Sequence, residues 1–143
     1  MKKILYLVVF AVLAYGLEQN ENFALPSTVS PAQNAETAIQ SAYNNKQSDI
    51  QVQGTGTVTK VLADDLEGSR HQRFILKFNR LSLLIAHNID LAPKINGLRA
   101  GDSVTFYGEY EWNAKGGIVH WTHHDPAGRH IDGWLKHNGK TYQ

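Results

Sequence analysis

The sequence of 143 residues contains no cysteine. This absence excludes a disulfide-bonded scaffold, a thiolate zinc site and a cysteine nucleophile. The chain also lacks an excess of either charge, since 14 Lys and Arg stand against 13 Asp and Glu for a formal net charge of +1. A protein that coats nucleic acid through a large positive net charge is therefore excluded, and any contact with nucleic acid must come from a local basic patch. The length is that of a single domain.

No apolar run in the sequence is long enough to span a membrane as a helix. The longest, Ile4 to Ala14, follows two lysines and falls well short of the ~20 residues that a spanning helix needs. A positive start, a short apolar run and small residues at Ala14 and Gly16 are typical of a secretory signal peptide. We expect residues 1–16 to be such a peptide, cleaved after Gly16, and the protein to be periplasmic or secreted without a membrane anchor.

Residues 17–50 are expected to form a polar tether that contains one short helix. Ser30-Pro31 is typical of a helix N-cap followed by proline at the first helical position. One face of this helix carries apolar residues at helical spacing, namely Ala35, Ala38, Ile39, Ala42 and Tyr43. Because this face is thin and mostly alanine, we expect the helix to persist only when it docks on the domain that follows.

Residues 51–143 are expected to form one mainly β domain, because the apolar pattern changes there to a period of two. The predicted strands are 52–62, 71–78, 81–87, 103–112 and 118–123. The Asn138-Gly139 pair predicts a C-terminal hairpin over 134–142. Five strands with short turns, led by a strand bent at Gly54 and Gly56, predict a small five-stranded barrel like the oligonucleotide-binding (OB) fold. A β-sandwich is the alternative.

A histidine-rich stretch carries the candidate chemistry. Four of the seven histidines lie between His120 and His130, beside Arg129. Histidine titrates at ~6.5 and so suits acid–base catalysis near neutral pH. Two histidines and an arginine can serve phosphodiester cleavage as base, acid and cation for the developing charge. The candidate catalytic residues are His120, His124, His130 and Arg129.

The same stretch has donor atoms for a divalent metal. On a straight strand His120 and His124 stand ~13 Å apart at ~3.3 Å per residue, too far for one ion. A site therefore needs the chain to curl at Asp125 or ligands from neighbouring strands. The candidate ligands are His71, His87, His120, His124 and Asp125. The alternative is that Asp125 begins a type I turn ending at Gly128, and that the histidines are hydrogen-bonded residues at strand ends.

A binding function uses these residues differently. Single strands of nucleic acid are held by basic grooves with aromatic platforms. We expect a monomeric OB-fold module that recognises a polyanionic or oligomeric ligand, with nucleic acid first and anionic polysaccharide next. The expected ligand-binding residues are Arg70, His71, Arg73, His87, His120, His123, His124, Arg129 and His130. The alternatives are a histidine-dependent phosphodiester hydrolase, which would be a nuclease, and a metal-binding periplasmic protein.

Several strings of residues carry a family resemblance. They include Gly68 to Leu76, Leu84 to Pro93, Gly108 to Asn113 and His120 to Pro126. These strings resemble a family of small exported bacterial proteins catalogued only as a domain of unknown function, and the resemblance covers roughly residues 50–143. It implies an OB-like barrel with no assigned activity. The active-site pattern of the staphylococcal-type nucleases, which use the same barrel, is not visible, and fold alone does not decide function.

Overall fold

The computed structural model describes residues 30–143, so the expected signal peptide and the first part of the tether lie outside the described residues. The elements are helix α1 (Pro31–Asn44) and strands β1 (Ile50–Val61), β2 (His71–Phe78), β3 (Leu81–Asn88), β4 (Ser103–Glu111), β5 (Ile118–His120), β6 (Trp134–His137) and β7 (Lys140–Tyr142). Within residues 30–143, no helix combines the length and apolarity that crossing a bilayer requires. The predicted mainly β fold with one short N-terminal helix and a C-terminal hairpin is confirmed.

Five strands close into a barrel. β1, β2 and β3 form an antiparallel meander, β3 pairs in parallel with β5, and β5 pairs antiparallel with β4. The sheet closes because β4 also pairs with β1, from Ile50 opposite Tyr110 to Thr57 opposite Ser103. This closure confirms the predicted OB-like barrel and rules out the sandwich alternative, which would leave two open sheets.

Two glycines allow β1 to bend between its two partners. A Cβ atom at Gly54 would lie 2.5 Å from the Phe78 ring, and one at Gly56 would lie 2.6 Å from the Lys77 carbonyl oxygen. The register against β2 shifts between Val58 and Lys60, which marks a bulge. The glycines therefore permit the close approach of neighbouring strands, and the irregularity lies further along β1, after Thr57, where the pairing passes from β4 to β2.

Helix α1 packs on the barrel through Ile39 and Ala42, which are buried in the core cluster. The Ser30 hydroxyl and the Gln33 side chain form a capping box at its N-terminus. Full burial of an isoleucine side chain contributes about 1.5–3 kcal/mol, which offsets part of the cost of ordering the helix. The predicted N-cap is observed, and of the predicted apolar face Ile39 and Ala42 are buried whereas Ala38 is exposed.

The structure corrects the predicted end of β5. The strand stops at His120 rather than residue 123, because Trp121 adopts a φ of +54° that breaks the ladder. His123 and His124 therefore lie in a loop over residues 121–133, and the strand spacing argument does not apply to them. The predicted hairpin is present as β6 and β7. Its strand β6 pairs with the part of β4 that β5 does not reach, Thr105 to Tyr107, and the hairpin does not close the barrel.

Candidate metal centre

Strands β4 and β5 place three potential metal ligands on the outer face of the barrel. Glu109 is the register partner of His120, and Glu111 is the next outward residue along β4. Between them, Tyr110 points inward and is fully buried. Because strand side chains alternate between faces, the two glutamates and the histidine share one side of the sheet.

The three side chains converge, but they give the Nε2 atom of His120 no hydrogen bond. The Nε2 atom of His120 lies 3.2 Å from Glu111 Oε1 and 3.5 Å from Glu109 Oε2. That nitrogen is buried and has no hydrogen-bond partner, so neither close oxygen lies in a suitable direction for its N–H. One ligand atom from each residue lies within 4.8 Å of the other two.

These separations fit a shared ion. Bonds of ~2.0–2.1 Å at tetrahedral angles separate neighbouring ligand atoms by about 3.3 Å, close to the two distances from His120 Nε2. Two carboxylates also supply the charge that compensates a divalent cation. The three residues therefore could hold a metal ion, whereas a histidine–carboxylate hydrogen bond would align the N–H with one oxygen.

Gln51 borders the cluster on its other side. It is the register partner of Glu109 on β1, so Gln51 and His120 flank Glu109 from the two neighbouring strands. The Nε2 atoms of Gln51 and His120 are the buried side-chain polar atoms that have no partner within residues 30–143. Buried polar atoms normally have partners, so the unpartnered Nε2 of His120 marks a place where an ion fits. The Gln51 amide nitrogen is a donor that needs an acceptor, and only the carboxamide oxygen of Gln51 could ligate a cation.

His130 holds Glu109 from the loop over residues 121–133. Its Nε2 lies 2.9 Å from Glu109 Oε2 and its Nδ1 lies 2.8 Å from the Ile131 carbonyl oxygen. Burial lowers the pKa of His130, but the Ile131 carbonyl and the Glu109 carboxylate outweigh burial and the net pKa shift is upward. Both partners are acceptors, so the charged imidazolium with two N–H donors satisfies this geometry. The Trp121 ring stacks on the imidazole at 4.0 Å with 6° between the planes.

The carboxylate of Asp125 organises the loop that carries His130. It accepts hydrogen bonds from the backbone N–H groups of Ala127, Arg129 and His130. These bonds, that of Ala127 first, lower the pKa of Asp125. The Gly128 N–H also donates to the Asp125 carbonyl at 3.0 Å, so the predicted turn is present. Asp125 thus fixes the backbone at His130, and its carboxylate is used within the turn.

Of the residues predicted from the sequence, the structure brings His120 and His130 together at Glu109. His87 lies instead in the interior, with Nδ1 2.8 Å from the Thr122 hydroxyl and Nε2 3.1 Å from the Pro93 carbonyl oxygen. Since the carbonyl can only accept, Nε2 carries the proton and the Thr122 hydroxyl donates to Nδ1. Burial lowers the pKa of His87 to about 4, so the ring is neutral.

The other predicted residues have separate local partners. His123 is buried with its Nδ1 against the His124 carbonyl, and His124 pairs with Asp132 at 2.9 Å. On β2 and just before it, Arg70 pairs with Asp90, His71 faces the Ser69 carbonyl and Arg73 donates to the Ala63 carbonyl. Arg129 has an exposed side chain on the turn. The five candidate metal ligands named from the sequence therefore do not form one cluster, because His71, His87, His124 and Asp125 each have their own contacts.

Sequence reasoning missed Glu109 and Glu111. The prediction rested on the histidines and their basic neighbours, and it included no acidic residue of β4. The available signal was two glutamates on either side of a core residue, Tyr110, in a strand next to the one that ends at His120. Their convergence depends on which strands pair, which the local pattern does not specify.

The fold and this cluster define the class: a small OB-like barrel with a carboxylate–histidine cluster on its outer face. A family described as "Protein of unknown function (DUF3465)" matches residues 22–143, and the chain belongs to this family. The resemblance to a family of unknown function noted from the sequence is thereby confirmed. The comparison with curated proteins found no match.

Proposed function

We propose that this protein binds a divalent transition-metal ion through Glu109, Glu111 and His120. The observation that carries the proposal is the buried, unpartnered Nε2 of His120, 3.2 and 3.5 Å from oxygens of two carboxylates. One neutral imidazole and two carboxylates neutralise a divalent charge. A mixed nitrogen and oxygen set suits zinc and its first-row neighbours better than calcium, which prefers oxygen ligands alone.

The surrounding residues support a metal centre. His130 hydrogen-bonds Glu109 and so orients a ligating carboxylate, as outer-shell partners do in metal proteins. Glu111 is 44% exposed, which leaves the cluster an entry path from solvent. Three protein ligands leave further coordination positions for water or a substrate. The expected signal peptide supports placing this metal-binding protein in the periplasm or outside the cell.

Calorimetric titration of chelator-treated, untagged protein tests the proposal. We expect wild-type protein to bind Zn²⁺ with one site per chain. Replacing His120→Ala or Glu111→Gln should weaken binding at least tenfold, because the first removes a ligand nitrogen and the second removes the negative charge of a ligand. His71→Ala is the matched control, since that ring faces the Ser69 carbonyl away from the cluster. Absent binding by wild type, or an equal loss in His71→Ala, would overturn the proposal.

A second candidate function is phosphodiester hydrolysis at the same centre. The specific observation is that His120 and His130 approach one oxygen of Glu109, at 3.5 and 2.9 Å. An imidazolium beside a metal with open positions can donate a proton to a leaving oxygen while the metal activates water. Incubation of the Zn²⁺-loaded protein with single-stranded DNA and RNA tests this. Cleavage should disappear in both His120→Ala and His130→Ala, and intact strands with the wild type would exclude it.

A further inference from the structure

A polar cavity lies elsewhere in the molecule, between α1 and two turns of the barrel. Its volume is about 1030 Å³. The cavity is lined from the helix and its C-cap by Gln40, Asn44 and Asn45, from the β2–β3 turn by Asn79 and Arg80, and from the β4–β5 turn by Lys115. None of the metal-centre residues contributes to its walls, so the cavity is a separate place for a ligand.

The walls carry unused hydrogen-bonding capacity and an excess of positive charge. Gln40 Nε2 donates to Asn44 Oδ1, which leaves the Gln40 oxygen and the Asn44 N–H groups for a ligand. Arg80 and Lys115 are exposed, and neither makes an ion pair with any part of residues 30–143. One acidic residue, Glu36, lines the cavity against these two cations.

Two contacts hold the walls in position. The Tyr43 hydroxyl donates to the Ala114 carbonyl and ties the helix to the β4–β5 turn. Gly116 packs so closely on β3 that a Cβ atom would lie 2.2 Å from the Ser82 carbonyl oxygen. The turn that carries Lys115 is therefore clamped to the strand next to Arg80. A preformed cavity costs little ordering free energy when a ligand binds.

We propose that this cavity binds an acidic oligosaccharide, a chain of sugar rings that carry carboxylates. Amide and hydroxyl groups suit a polyhydroxylated ligand, and the two cations suit its carboxylates. A nucleic acid is a poorer fit, because stacking of bases needs aromatic platforms, and among the described residues Tyr43 alone gives the wall an aromatic ring. The volume lies at the upper end of small-molecule sites, which leaves room for more than one ring.

Calorimetry with the full chain tests the proposal with three probes: tetragalacturonate, its methyl ester and an oligothymidylate of equal charge. We expect tetragalacturonate to bind and the Arg80→Gln/Lys115→Gln double variant to weaken binding at least tenfold. Lys77→Gln, which removes an exposed lysine from β2, is the control and should bind as wild type does. His120→Ala should also retain saccharide binding, so a failed metal site leaves this test intact.

Four outcomes would overturn the proposal. Absence of binding to tetragalacturonate removes the ligand class. Equal binding of the methyl ester removes the role of the cations. Tighter binding of the oligothymidylate identifies a nucleic-acid site instead. An equal loss of affinity in Lys77→Gln and in the double variant shows nonspecific attraction to net charge.

Discussion

His130 and Glu109 are 21 residues apart in the sequence, and their Nε2 and Oε2 atoms meet at 2.9 Å. The contact joins the loop after β5 to the outer face of β4, and Trp121 covers it by stacking on the imidazole. Glu109 is thereby held beside His120. In the proposed metal site, this contact sets the position of one of the two ligating carboxylates.

Replacing His130→Gln should weaken Zn²⁺ binding about tenfold without abolishing it. Outer-shell partners of metal ligands typically change affinity ~10–100-fold, and glutamine retains one donor toward Glu109. Competition against a chromophoric chelator measures the affinity. Arg129→Gln, on the same turn, is the control, and this variant should bind Zn²⁺ with the affinity of wild type. A loss as large as that of His120→Ala would show that His130 ligates the ion directly.

Replacing Gln51→Leu should have opposite effects on stability and on metal affinity. Leucine removes a buried amide nitrogen without a partner, so the metal-free protein should gain about 1 kcal/mol in its free energy of unfolding. If the carboxamide oxygen of Gln51 ligates the ion, the affinity for Zn²⁺ should fall in the same variant. Urea unfolding with chelator and calorimetry with Zn²⁺ separate the two effects. A destabilised metal-free variant would show that the amide has a structural partner.

The buried His87 should make the protein less stable as pH falls. Its pKa is about 4 in the folded state and ~6.5 in the unfolded chain, so the unfolded state takes up the proton first. The free energy of unfolding should therefore decrease by about 3 kcal/mol between pH 6.5 and 4, and this contribution should be constant below that window.

Urea unfolding from pH 7 to 4 checks the His87 prediction. The informative quantity is the difference between wild type and His87→Gln, because all other groups are common to the two proteins. The glutamine amide can still donate to the Pro93 carbonyl but does not titrate. The pH dependence should be shallower in the variant, and identical slopes would contradict the assignment.

Replacing Gly54→Ala should destabilise the barrel by about 1–3 kcal/mol, the usual cost of overpacking a core. The added Cβ would lie 2.5 Å from Phe78 and 2.9 Å from Phe106, two rings that pack edge to face. Gln53→Ala, at an exposed position of β1 next to Gly54, is the control and should change stability by less than about 0.5 kcal/mol. Chemical unfolding measures both, and equal stabilities would show that β1 does not depend on this close approach.

Much of the fold was predictable because its signals are local. Alternation located β2 and most of β3 and β4, Ser30-Pro31 located the start of α1, and Asn138-Gly139 located the hairpin turn. Both turn residues have positive φ, as such a hairpin requires. The end of β5 was not predictable, because Trp121 adopts a positive φ, which non-glycine residues rarely take. In this conformation the Trp121 ring stacks on His130, a residue nine positions further along the chain.

The amino-acid sequence by itself determined most of the strands and the hairpin turn, because these depend on residues a few positions apart, and the number and spacing of the strands predicted a barrel. Only the tertiary structure decided which polar side chains meet. Closure of the sheet sets Gln51, Glu109 and His120 side by side from three strands, while burial assigns His87 to the interior. Pairing over long sequence separations chooses such neighbours, and composition and spacing along the chain do not encode that choice locally.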